Sequence, residues 1–198
     1  MSPASQTPGR PSPLMRASYL QSNVESLGRL GARTEADIRR RAVRAVEEIE
    51  RALRTAWLPL QLDIELTDAI EQLAGRDATR ELARHAIAVS AEGPLLRPFL
   101  RALKAVGLTP RAGFKVAPKA WRSVYRFCGE LEVERDDDRA VTLTQHDAPE
   151  AILYSEAYQV GIAGALEGVV LLTGGAAPSV EPEAHGPLRR VRYRCTWR

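Results

Sequence analysis

The apolar residues of this chain change their spacing once, near Tyr125, from a helical period of about 3.6 to an alternating period of 2. That switch constrains the fold more than any other feature. After it, Leu131 and Val133 alternate with Glu130, Glu132 and Glu134, the run Asp136-Asp137-Asp138 turns the chain, and Val141 and Leu143 alternate with Thr142 and Thr144. A helix from about 150 to 173 follows, and Gly174-Gly175 ends it. Strands 180–184 and 188–197 then pair across a turn holding Gly186-Pro187, with Val191, Tyr193, Cys195 and Trp197 on the inner face. The expected architecture is α+β: an N-terminal helical half packed on a four-stranded antiparallel sheet formed by a C-terminal ββαββ unit.

Residues 1–16 are rich in Pro and Ser and hold too little apolar surface to offset the entropy of ordering, so they are expected to form a disordered tail before a single domain at 17–198. A first helix ends at Gly31, and Thr34 is expected to cap a longer one in which Ile38, Ala42, Ala45, Ile49 and Ala52 form the buried stripe. On its wet face Arg44/Glu48, Glu47/Arg51 and Glu50/Arg54 stand at i,i+4 spacing. Pro59 suits the first turn of a helix to about Ala74, which Gly75 ends, and Asp77 opens the next. A short helix over about 95–106 leads to a loop marked by Gly107, Pro110 and Gly113, and Pro118 is expected to open a helix through Trp121 and Tyr125. In the helix between the hairpins, Gly161, Gly164 and Gly168 line one side. Without Cβ atoms there, that side can approach a neighbour closely, and in a chain of this kind the seam is read as intramolecular.

A chain of 198 residues with 44% apolar composition can bury one real core. Its longest apolar stretch, 160–172, falls short of the ~18 residues a span requires and contains Glu167. With no apolar signal core near the start, a soluble cytoplasmic protein is expected. Cys128 and Cys195 have no metal-ligand spacing and read as two buried free thiols. The net charge is only +3, and 25 of the 28 basic residues are Arg, a bias better explained by GC-rich coding than by nucleic-acid binding.

Phosphate-binding, nucleophile-elbow and zinc-protease motifs are absent from the sequence, so no catalytic, cofactor or metal residue is assigned and an enzyme is not expected. His85, one turn after Glu81 and near an inner face of Leu82, Ala86 and Val89, could ligate a metal, but a lone helical His is ordinarily a boundary residue. Asp136 to Asp138 lack the spacing of a calcium loop. The one strong single-sign surface is the last strand, where Arg190, Arg192 and Arg194 form a candidate partner-binding row. Such a row could meet a protein partner or nucleic acid, or could lie beside the outward glutamates Glu130, Glu132 and Glu134. The last arrangement is expected, with the two hairpins meeting through those strands.

Several segments carry a resemblance. Trp57-Leu58-Pro59-Leu60 ahead of a helix with Ile70, Pro118-x-x-Trp121-x-x-x-Tyr125 ahead of Gly129-Glu130-Leu131-Glu132-Val133, the glycine-striped helix and the strand ending in Trp197 resemble an uncharacterised paralogous family of myxobacteria. That family is in turn similar to the superfamily of 4-vinyl reductase-like, haem-NO-binding and TRAPP-subunit domains. The resemblance covers about 18–198 and implies a sensor, adaptor or assembly module rather than an enzyme. Metal-using relatives carry cysteines near the last hairpin, where this chain has Pro182 and Val191. The Tyr-x-Ser-x-Arg clasp of haem-binding relatives does not occur in it, so neither zinc nor haem is expected. The function expected is a non-catalytic cytoplasmic module that binds a small apolar ligand or a protein partner, using the space between the helical half and the sheet. The alternative is binding of nucleic acid or another anionic partner through the arginine strand. A homodimer is compatible with the sequence, which sets no oligomeric state.

Overall fold

A computed structural model describes residues 11–198 of the chain. Its elements in chain order are β1 (Leu14–Arg16), α1 (Ala17–Ser26), a 3-10 turn (Leu27–Leu30), α2 (Ala32–Arg41), α3 (Val43–Arg51), β2 (Trp57–Pro59) and α4 (Leu60–Ala74). They continue with α5 (Arg76–Glu92), α6 (Arg97–Val106), α7 (Pro110–Val124) and β3 (Tyr125–Arg126), and then the C-terminal unit: β4 (Glu130–Asp137), β5 (Ala140–His146), α8 (Glu150–Leu153), α9 (Glu156–Leu172), β6 (Ser179–His185) and β7 (Arg190–Thr196). The helical half packs on one face of the antiparallel sheet β4-β5-β7-β6, as the spacing switch implies.

The tail boundary moves. Leu14–Arg16 pairs with both β2 and β3 in a second, three-stranded antiparallel sheet, and Met15 is fully buried. Order therefore begins before residue 17, because Met15 supplies the apolar anchor that the surrounding Pro and Ser residues lack. Residues 1–10, most of the expected tail, lie outside the described residues. In this small sheet the Trp57 ring holds the guanidiniums of Arg16 and Arg126 at 3.9 and 4.2 Å from its centroid, both in cation–π range.

The expected long second helix is bent. Ile38, Ala42, Ala45 and Ile49 form the buried stripe, but Ala42 leaves helical geometry at φ −110°, ψ 34°. Backbone hydrogen bonds still run through the bend, from Ala42 to Ile38 and from Val46 to Ala42. The helix begins at Ala32, with Gly31 at φ +84° in the capping position expected of Thr34. Glu50 pairs with Arg39 across the bend at 2.7 Å, while Arg44/Glu48 and Glu47/Arg51 pair as the spacing implies.

Pro118 does not open α7 but lies inside it. The start signal is Thr109-Pro110: the Thr109 hydroxyl accepts the Ala112 N–H at 3.2 Å, and Pro110 occupies the first turn, where a missing N–H costs nothing. Gly113, expected in a loop, is helical because α7 crosses α9 there; a Cβ would stand 2.9 Å from Val169 Cγ1.

The strand order corrects the expected meeting of the hairpins. β7 lies between β5 and β6, and β4 is at the far edge, so the arginine strand and the first glutamate strand are not neighbours. The carboxylates come instead from two directions. On β6, Glu181 stands opposite Arg194 and Glu183 opposite Arg192. From β4, a bulge between Val133 and Arg135 turns Glu134 across β5, where its Oε2 accepts from the Thr144 hydroxyl at 2.7 Å and from Arg192 Nε at 3.1 Å. Those two contacts hold the Glu134 carboxyl below its usual range.

The glycine stripe of α9 is an intramolecular seam, and its partner is α5 rather than the sheet. A Cβ on Gly164 would run into the Arg80 carbonyl, and one on Gly168 would meet the Arg84 carbonyl oxygen at 2.9 Å. That approach carries Arg80 and Arg84 over Glu167, which is 1% exposed. Arg80 reaches one carboxylate oxygen at 2.9 Å and Arg84 the other at 2.7 Å, and the Val180 N–H of β6 donates to the first at 3.2 Å. Helix, helix and sheet are thus tied at one buried charge.

Candidate functional site

The helices line a partly open cavity of about 180 Å³. Its apolar wall draws on Leu66 of α4, Leu82 of α5, Phe99 and Leu103 of α6, Trp121 of α7 and Ile162 of α9. The sheet contributes Leu131, so the space lies within the helical layer more than between helices and sheet. Asp63, Leu66, Thr67 and Ile70 recur at i, i+3, i+4 and i+7 on α4, so one helical face delivers all four to the lining.

One end is polar, formed by Tyr19 and Asn23 of α1, Asp63 and Thr67 of α4, Tyr125 of β3 and Tyr158 of α9. Asp63 is 3% exposed, and its Oδ1 accepts from Asn23 Nδ2 at 2.8 Å. Burial raises its pKa from 3.8 to about 6, opposed in part by the Asn23 amide and the Tyr158 hydroxyl, which favour the ionised form. The Tyr125 and Tyr158 hydroxyls lie 3.3 Å apart, and Tyr158 also points at Met15 Sδ, 3.7 Å away. Trp121 stacks on Tyr125 with centroids 3.9 Å apart and donates its indole N–H to the Gly129 carbonyl. All three phenols are pushed upward, chiefly by burial and further by the Asp63 charge, and so keep their protons.

The residues singled out in the sequence fall elsewhere. Arg190, Arg192 and Arg194 lie on the open face of the sheet, away from the cavity, with Arg192 held by Glu134 and 3.9 Å from Glu183. His85 is half-buried on α5, His146 faces Glu132 at 3.4 Å and His185 faces Glu183 at 3.3 Å. Cys128 and Cys195 are buried free thiols, both raised to about 12, chiefly by burial. Asp63 was missed. Its signal was an acid in phase with the apolar stripe of α4, where a wholly wet acid would sit on the opposite face.

No protein-family model and no curated protein sequence matches this chain. Solved structures do. An oxygen-binding H-NOX domain related to soluble guanylate cyclases superposes with a TM-score of 0.61 at 12% identity, covering 93% of this chain and 95% of that one. The unliganded Fe(II) H-NOX protein from K. algicida gives 0.61 at 9% identity, covering 93% and 97%. A structure from work on haem distortion in the H-NOX family gives 0.63 at 13% identity, covering 93% and 95%. The chain therefore has an H-NOX-like fold, which supports the haem-NO-binding part of the resemblance.

That fold raises the question of haem, and the cavity does not suit it. Among the described residues, no lining side chain is a His, Cys or Met to serve as a soft or imidazole axial ligand, and none is a Lys or Arg to meet propionates. A tyrosinate ligand would require a lowered phenol pKa, whereas burial and Asp63 raise those of Tyr19, Tyr125 and Tyr158. The volume also lies below the ~300 Å³ at which ordinary cofactor pockets begin.

Proposed function

We propose that this protein is a non-catalytic, sensor-like module that binds one small, mainly apolar molecule in the helical cavity. The observation that carries this reading is the lining: mostly aromatic and aliphatic side chains, with a polar cluster at Asp63, Asn23, Thr67 and the three tyrosines and two further hydroxyls at Thr79 and Thr173. Pockets of that composition hold a ligand by burial and orient it by a few fixed polar groups. An apolar cavity of ~150 Å³ accepts a benzene-sized guest, so about 180 Å³ suits a molecule of one ring or a short branched chain. The likeness to ligand-binding H-NOX domains supports a sensing role by analogy of fold. Among the described residues no helix is long and apolar enough to cross a membrane, and the cytoplasmic location belongs to the same proposal.

A partner-binding role for Arg190, Arg192 and Arg194 is the second reading. It carries less weight because Arg192 already faces two carboxylates and Arg194 stands opposite Glu181, which reduces the field offered to a phosphate backbone.

The test is native mass spectrometry of the purified chain followed by denaturing extraction, alongside thermal shifts with toluene and benzyl alcohol. A retained small molecule, or a shift that is lost when Ala117→Leu fills the cavity, supports the reading. A chain that carries no ligand and gives the same melting temperature with and without both probes overturns it.

A further inference from the structure

The polar end of the cavity has a charge of one sign. Among the described residues that line the cavity, Asp63 is the one that carries a formal charge at neutral pH, and no basic side chain accompanies it. Its neighbours from every side are neutral donors or protonated phenols: Asn23 and Tyr19 from α1, Tyr125 from β3 and Tyr158 from α9. This differs from Glu167, the other buried acid, whose charge is met by two guanidiniums. Above about pH 6 the site therefore holds a buried carboxylate with hydrogen-bond partners and no counter-ion. A buried charge is costly unless it is paired, and the rings of Tyr19, Tyr125, Tyr158 and Trp121 add faces that attract cations.

We propose that the ligand of this cavity is a small organic ammonium ion, an arylalkyl or branched alkyl amine, whose nitrogen pairs with the Asp63 carboxylate while its hydrocarbon part fills the apolar wall. The proposal rests on the ligand-binding reading above and narrows it to one chemical class. An ammonium group supplies the missing counter-ion and up to three donors, which a hydroxyl cannot match. A carboxylate ligand of the same size would bring like charge against Asp63 and is excluded. The apolar wall sets the other end of the molecule: Leu66, Leu82, Phe99, Leu103 and Ile162 offer no polar group, so a diamine or a zwitterion would bury an unpaired charge.

The experiment is calorimetric titration at pH 7.5 with three probes of one shape, benzylamine, benzyl alcohol and benzoate, on the wild type, Asp63→Asn and Ala117→Leu. The expected result is that benzylammonium binds about ten-fold or more tightly than benzyl alcohol, with benzoate weakest. Asp63→Asn should remove most of the amine's advantage over the alcohol, and Ala117→Leu should abolish binding of both. Equal affinity for amine and alcohol in the wild type overturns the ammonium assignment while leaving the cavity reading intact, and that comparison stands even if Asp63→Asn fails to fold. Amine binding that survives in Ala117→Leu marks attachment elsewhere and also overturns it. Failure of all three probes to bind the wild type overturns both.

Discussion

Asp63→Asn should make the protein more stable at neutral pH, and the gain should vanish in acid. The substitution keeps the shape and an acceptor for the Asn23 amide but removes the charge. In the folded chain the Asp63 pKa is raised from 3.8 to about 6, so between those values the native state binds a proton that the unfolded state has released. Stability contributed at this site is therefore fully present below about pH 4 and is lost as pH rises toward 6. A shift of about 2 units at 1.36 kcal/mol each sets the cost of the ionised form at about 3 kcal/mol, an upper bound because the introduced amide gives up some of the hydrogen bonding that the carboxylate enjoys. For a chain of this length that corresponds to roughly 6–12 °C in Tm. Urea unfolding of the wild type and Asp63→Asn at pH 4 and pH 7.5 measures it. Other carboxylates titrate in both proteins, so the difference between the two curves isolates this one. A wild type that is the more stable at pH 7.5, or a gap of the same size at both pH values, would refute the reasoning.

Three further outcomes are expected. Trp197, 8% exposed and 5.6 Å from the Phe114 ring, closes the core beyond β7, and Trp197→Ala should cost ~3–5 kcal/mol by urea unfolding; an unchanged midpoint would sink that assignment. Gly164→Ala should cost ~1–3 kcal/mol or more because its Cβ meets the Arg80 backbone, whereas Gly161→Ala, whose Cβ would stand 3.7 Å from Thr67 Cγ2, should be neutral or stabilising by ~0.5–1 kcal/mol. Equal effects at the two positions would show that the seam does not run where the structure puts it. Glu167→Ala should cost about 2–3 kcal/mol, since it leaves Arg80, Arg84 and the Val180 N–H without their shared acceptor, and a loss below about 0.5 kcal/mol would count against a clasp.

The alternation at 130–134, 141–144 and 191–197 was enough to place both hairpins and to put Val191, Tyr193, Cys195 and Trp197 on the buried face. Their order in the sheet was not legible, because a glutamate row on β4 and another on β6 complement the same arginines equally well. Charge rows on a wet face select an order by less than about 1 kcal/mol per pair, too little to outweigh the burial that places β5 against β7. The bulge that sends Glu134 to Arg192 has no local signature, since neither Gly nor Pro marks it. Pro118 misled for a related reason. Thr109 and Pro110 set the start of α7, and only that cap chemistry upstream distinguishes the proline that opens the helix from the one inside it. The cavity was out of reach, because Tyr19, Asp63, Tyr125 and Tyr158 are distant in sequence and meet only when four elements pack.

The seam between α5 and α9 gives the cavity a mechanical polarity. Where a backbone carbonyl already touches the place a Cβ would occupy, two helices cannot be pressed closer, and the carboxylate clamp at Glu167 keeps them from parting. On that side the chamber behaves as an anvil. A guest larger than the resting space would have to displace other walls of the cavity, which include Phe99 and Leu103 of α6 and Trp121 of α7. Trp121 is hydrogen-bonded to Gly129, the residue that leads into β4. Strain from an oversized guest would thus be delivered to the edge strand of the sheet, the point at which the chain passes from its helical to its β-rich half.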